Sequence, residues 1–92
     1  MMIGEWQGIV RASDLQMTAV VHYEGPSCLS LGDWYGGGSR NNLWPDREFI
    51  ETNIGTLIVV HQIQNEEGEY VIQFMGYGLP QGPLAARMGL PE

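Results

Sequence analysis

Apolar residues along this chain fall at alternate positions more often than at every third or fourth, which is the spacing of strands rather than helices. The clearest case lies between Gly55 and Tyr77. "TLIVVHQIQ" is rich in β-branched residues, "NEEG" is a polar turn ending in glycine, and "EYVIQFMGY" returns. The pattern predicts a hairpin with a loop of about four residues. Pairing Gln64 with Glu69 sets Ile63 opposite Tyr70, His61 opposite Ile72 and Val59 opposite Phe74. One face then carries Leu57, Val59, His61, Ile63, Tyr70, Ile72 and Phe74, and is assigned to the core. The other carries Ile58, Val60, Gln62, Gln64, Glu69, Val71 and Gln73. It is polar near the turn and apolar further from it, so part of it is also expected to be covered.

Two further strands are expected near the start. "GEWQGIVRA" sets Trp6 and Val10 against Glu5, Gln7 and Arg11, with Gly8 as a candidate bulge. "MTAVVHYEG" is a second β-branched run ending in a turn at Gly25 and Pro26, and "ASDLQ" suits the short loop between the two. "LWPDREFIETNIG" admits two readings. Pro45 at a first helical position, with Asp46 and Glu48 in the first turn and Asn53 and Gly55 at the end, favours a short helix. Alternation of Phe49 and Ile50 with charges permits an extended segment. Residues 78–92 read as a C-terminal tail or short helix, with "PLAARM" helical from Pro83 and stopped by Gly89. The expected class is mainly β, or α+β. It is a small antiparallel sheet of four or five strands, half-barrel or sandwich-like, with one or two short helices.

Size and charge narrow what such a sheet can do. At 92 residues the chain is one domain. A domain this small buries only roughly 60% of its unfolded surface, so a site is expected to be shallow or completed by a second copy. The net charge is −7, and the four basic residues are all arginine. An acidic surface repels nucleic-acid phosphates and anionic membrane, and suits a basic partner or simple solubility. One cysteine, Cys28, rules out an internal disulfide and a cysteine-rich metal site. "MMIGEWQGIV" has neither the basic segment nor the apolar run of a signal peptide or membrane span, so a cytoplasmic location is the default. No cofactor is expected.

The stretch "GDWYGGGSRNNLW" carries the most distinctive chemistry. A glycine-rich loop can turn successive amides inward to hold an anion. The candidate ligand-binding residues are Trp34, Tyr35, Gly36, Gly37, Gly38, Ser39, Arg40, Asn42, Trp44 and Arg47. Arg40 and Arg47 supply planar forks for phosphate oxygens. Trp34, Tyr35 and Trp44 supply faces for stacking a base, and Asn41 and Asn42 can read its edges. The spacing matches neither GxxxxGK[ST] nor GxGxxG. The plainer alternative is a surface loop anchored by its tryptophans. Trp and Arg are also the usual hot-spot residues of protein interfaces.

Other candidates are sparser. His22 and His61 each follow two valines, and neighbouring strands would bring them together with Asp33 or Glu24 as a metal or acid–base set. Lone histidines satisfied by the backbone are the simpler reading, since no HxH or HxxxH spacing is present. Cys28 with either histidine would make a nucleophile pair, against the commoner role of a small apolar thiol. Glu66, Glu67 and Glu69 mark a solvated turn that discourages edge pairing or docks on a basic groove.

Small acidic chains of this kind commonly act as inhibitors or adaptors, phage-encoded blockers of host defence among them. The first expectation is therefore a non-catalytic binding protein acting through protein–protein contact. The alternative is a binder or sponge for a small phosphate-bearing ligand such as a cyclic nucleotide, and a homo-oligomer would best close its shallow site. The third is a small enzyme using His22, His61 or Cys28.

Overall fold

β-Branched runs separated by tight polar turns pair with their neighbours, as Met2–Ala12 with Leu15–Gly25 and Gly55–Gln64 with Tyr70–Tyr77 do here. The computed structural model describes residues 2–25 and 33–89. Its strands are β1 (Met2–Ala12), β2 (Leu15–Gly25), β3 (Trp34–Arg40), β4 (Phe49–Thr52), β5 (Gly55–Gln64) and β6 (Tyr70–Tyr77), followed by the helix α1 (Gly82–Met88). All pairings are antiparallel, in the order β1-β2-β3-β6-β5-β4. The sheet curls into a half-barrel. Residues 41–48 carry the chain from β3 to the far edge, and β4, β5 and β6 return as a meander beside β3, a Greek-key arrangement. The mainly β class read from the alternation is thus what forms, with β3 and β4 added to the four strands read there.

The inner face holds Val10, Met17, Val21, Trp34, Leu57, Val59, Ile72 and Phe74, all buried, with Trp44, Ile54 and Leu84 packed among them. α1 follows the expected logic. Pro83 lies in its first turn, and Gly89 ends it in the left-handed conformation at φ 77°. Leu84 and Ala85 anchor it in the core.

Three expectations are corrected. Gly8 is no bulge, because β1 and β2 pair without interruption and Gly8 sits opposite Ala19. The bulge lies in β5, between Val59 and His61. Val59 faces Phe74 as expected, but beyond the bulge His61 faces Gln73, Gln62 faces Ile72 and Gln64 faces Tyr70. The extra residue flips every later side chain. His61 and Ile63 therefore leave the core face, and Gln62 enters it. The hairpin loop grows accordingly, closed by Asn65 N–H donating to the Glu69 carbonyl at 2.8 Å. Residues 45–53 form no helix. Arg47 adopts φ 61°, outside the right-handed helical region. Residues 49–52 pair with β5, with Ile50 turned to the core and Phe49 and Glu51 exposed.

The two edges of the sheet, β1 and β4, are joined through one residue. Asn53, just after β4, accepts from Arg11 N–H at 2.6 Å and donates from Nδ2 to the Ile9 carbonyl at 2.9 Å. Its own amide donates to the Arg11 carbonyl at 3.0 Å. Further along β1, Arg87 of α1 donates from Nε to the Glu5 carbonyl at 3.3 Å.

The three consecutive glycines lie in the middle of β3, between β2 and β6, and serve different faces. Gly36 and Gly38 point inward, and a Cβ on them would strike the Val20 carbonyl and the Met17 sulfur respectively. Gly37 points outward, where a Cβ would come within 3.2 Å of the Ile72 carbonyl alone. Gly76 on β6 makes room for the Trp34 indole in the same way.

Gly36→Ala and Gly38→Ala are each expected to lower stability by about 1–3 kcal/mol through overpacking. In Gly37→Ala the tight contact is offset by the strand entropy that glycine loses, leaving a change below about 1 kcal/mol. Urea unfolding of the three variants distinguishes this order from an equal effect at all three. Asn53→Ala removes two side-chain hydrogen bonds and is expected to cost about 1–2 kcal/mol. An unchanged midpoint would show that the edges hold without the clasp.

Candidate functional site

Inward-facing positions on β3 alternate Trp34, Gly36, Gly38 and Arg40, so the arginine comes last, at one end of the half-barrel. Its guanidinium lies over the Trp44 ring, 5.5 Å from the centroid, a cation–π contact worth roughly 0.5–2 kcal/mol. Trp44 is held in turn by Gln62. Trp44 N–H donates to Gln62 Oε1 at 2.9 Å, and Gln62 Nε2 donates to the Trp44 carbonyl at 2.9 Å. Burying an indole contributes roughly 4–6 kcal/mol by area, against about 1 kcal/mol for each hydrogen bond. The ring therefore supplies the energy that docks segment 41–48, and Gln62 sets its position.

A cavity of about 430 Å³ opens beside Arg40. Ser39, Arg40, Asn41 and Asn42 line it, together with Gln16, Thr18 and Glu69. Three of the residues singled out in the sequence, Ser39, Arg40 and Asn42, thus share one cavity wall. The other seven do not line it. Gly36, Gly37 and Gly38 form a strand rather than a loop, so their amides face the β2 and β6 ladders instead of an anion nest. Trp34 is fully buried and donates from Nε1 to the Gly78 carbonyl at 2.9 Å. Trp44 is also fully buried, and stacks on Arg40 rather than on a base. Arg47 points to solvent beside Asp46, at 3.6 Å. Tyr35 lies on the outer face of the sheet, half exposed.

That outer face is the second candidate surface. Successive strand pairings align His22, Tyr35, Met75, Ile58 and Phe49 in one row across five strands. Ile63, Val71 and Val60 extend it, each more than 40% exposed. Gly37 leaves a shallow trough of about 500 Å³ bordered by His22, Tyr35, Val60, Gln73 and Met75. A one-sided antiparallel sheet ordinarily turns polar residues to solvent. The sequence carries a trace of this surface in the apolar half of the second hairpin face. Phe49 was hidden by the helix reading, and the outward place of Ile63 depends on the bulge.

His22 and His61 both lie on this face, but β3 and β6 stand between their strands. Three strand spacings of about 4.8 Å keep them apart. His22 has Glu5 at 3.8 Å and Tyr35 at 5.7 Å between ring centroids. Among the described residues no three of His, Cys, Asp and Glu gather as a metal-binding group. Cys28 and the turn expected after Gly25 lie outside the described residues. No described helix is long and apolar enough to cross a membrane. No family model, curated protein or solved structure matches the chain.

Gln62→Leu removes both hydrogen bonds to the Trp44 backbone and is expected to cost about 2 kcal/mol. The tryptophan emission should shift to the red as segment 41–48 loosens. Unshifted emission with an unchanged unfolding midpoint would show that indole burial alone holds the segment.

Proposed function

We propose that the chain is a non-catalytic binding protein, an inhibitor or adaptor, that docks a partner protein on the outer face of its sheet. The observation that carries this reading is the row from His22 to Phe49. Five strands at about 4.8 Å make it about 19 Å long, and a contiguous apolar patch on a small monomer ordinarily marks an interaction site. The Gly37 trough suits a projecting apolar or aromatic side chain from the partner, the usual anchor of a protein interface.

Charge decides the kind of partner. The outer face has no carboxylate or arginine in its central row, while Glu5, Glu24 and Glu51 stand around it against Arg11. A partner with an apolar knob and a basic rim is complementary. A second copy would bring another chain of charge −7 against this one, which like-charge repulsion disfavours.

The test is crosslinking in the source cell, identification of the captured protein, and reconstitution from purified components. A basic-rimmed partner should bind more weakly as salt rises. Tyr35→Ala and Met75→Glu should weaken the complex more than about tenfold, while Tyr35→Ala leaves the unfolding midpoint nearly unchanged. A reconstituted complex indifferent to both substitutions would remove the face from the argument. A stable dimer of the chain alone, broken by Met75→Glu, would replace the partner with a second copy.

A further inference from the structure

The cavity beside Arg40 is a site of a different kind, and neither Tyr35 nor Met75 lines it. Arg40 is a partly buried cation. Its Nη1 is shielded from solvent and has no hydrogen-bond partner. No described carboxylate stands within ion-pair distance of it. The Trp44 ring covers it and accepts no hydrogen bond in the guanidinium plane. A guanidinium carries five donors and keeps its charge in proteins. Leaving such a cation half desolvated without a counter-charge is costly.

We propose that this cavity binds a small molecule of mononucleotide size bearing a single phosphate, with the phosphate against Arg40. Planar N–H groups match phosphate oxygens in pairs. The amides of Asn41 and Asn42 and the hydroxyl of Ser39 add neutral donors to the lining of the same cavity. About 430 Å³ lies within the range of small-ligand pockets. Glu69 also lines the cavity. Its carboxylate can accept from a hydroxyl or amino group of the ligand. Ile9, partly exposed, adds an apolar contact to the lining. The site uses the side chains of the β3 end and leaves the glycine amides in their ladders.

The test is a backbone-amide NMR titration of the full chain with three probes: inorganic phosphate, adenosine monophosphate and acetate. Saturable shifts centred on residues 39–42 are expected for the first two, with the nucleotide at least about tenfold tighter than phosphate. Arg40→Gln should abolish saturation. Asn42→Asp, at an exposed position, should weaken the nucleotide by about tenfold and decides the matter if the Arg40 variant does not fold. Equal weak responses to acetate, phosphate and nucleotide would overturn the proposal, leaving a general electrostatic effect. It would also be overturned by the absence of saturable shifts, or by unaltered nucleotide affinity in Asn42→Asp.

Discussion

One inserted residue in β5 determines what the open end of this sheet is made of. Without the bulge at Val60, His61 would continue the apolar face and Gln62 would point to solvent. With it, Gln62 turns inward and meets the backbone of Trp44 with both its donor and its acceptor. An inward glutamine is costly unless satisfied, and an isolated loop tryptophan has many places to pack. Each resolves the other's problem. The result is a fixed indole on which Arg40 rests, and a connection that carries the chain to the far edge in one conformation.

The same geometry explains why a cation is tolerated inside the rim. Arg40 ends the inward series of β3, where apolar neighbours give way to the loop. Its guanidinium lies over the Trp44 ring, and the residue lines the polar cavity. The glycines before it are part of this arrangement. Gly36 and Gly38 allow β2 and Met17 to approach so closely that the interior is filled by Phe74, Met17 and Trp34 without strain. Gly37, between them, has its effect on the opposite surface, where it lowers the floor between Tyr35 and Val60. One run of three identical residues thus shapes a core and an exposed trough.

Much of the fold was legible because it depends on local pattern. The alternation in β1, β2, β5 and β6, the turns between them, and the proline and glycine bounding α1 are nearest-neighbour signals. What was not legible depends on contacts distant in sequence. Nothing local in "IVVHQIQ" marks the bulge, since Val60 is as good a strand residue as its neighbours. The compensating gain comes from Trp44, far back in the chain. Glycine depletion in strands argued for a loop at residues 36–38, and only the close approach of β2 and β6 makes glycine the fitting residue there. The first turn of a helix and a four-residue edge strand share the composition of "PDREFIET", and pairing with β5 selected the strand. At the candidate site, sequence proximity is enough to place Ser39, Arg40 and Asn42 around one cavity. Trp34, Tyr35 and Trp44, close to them in sequence, lie elsewhere, because alternation and packing bury the two indoles and turn Tyr35 to the outer face.

The clasp at Asn53 and the Arg87 contact have a consequence for how this molecule can meet others. A sheet edge is ordinarily a template on which a foreign strand adds itself, and peptide capture and fibril growth both exploit it. Here main-chain groups of the first strand at Glu5, Ile9 and Arg11 are already engaged by Asn53 and Arg87 of the same chain. Main-chain recognition, which reads few details of sequence, is thereby obstructed at those residues. What is left to discriminate one partner from another is the arrangement of side chains on the faces, where shape and charge are specified residue by residue.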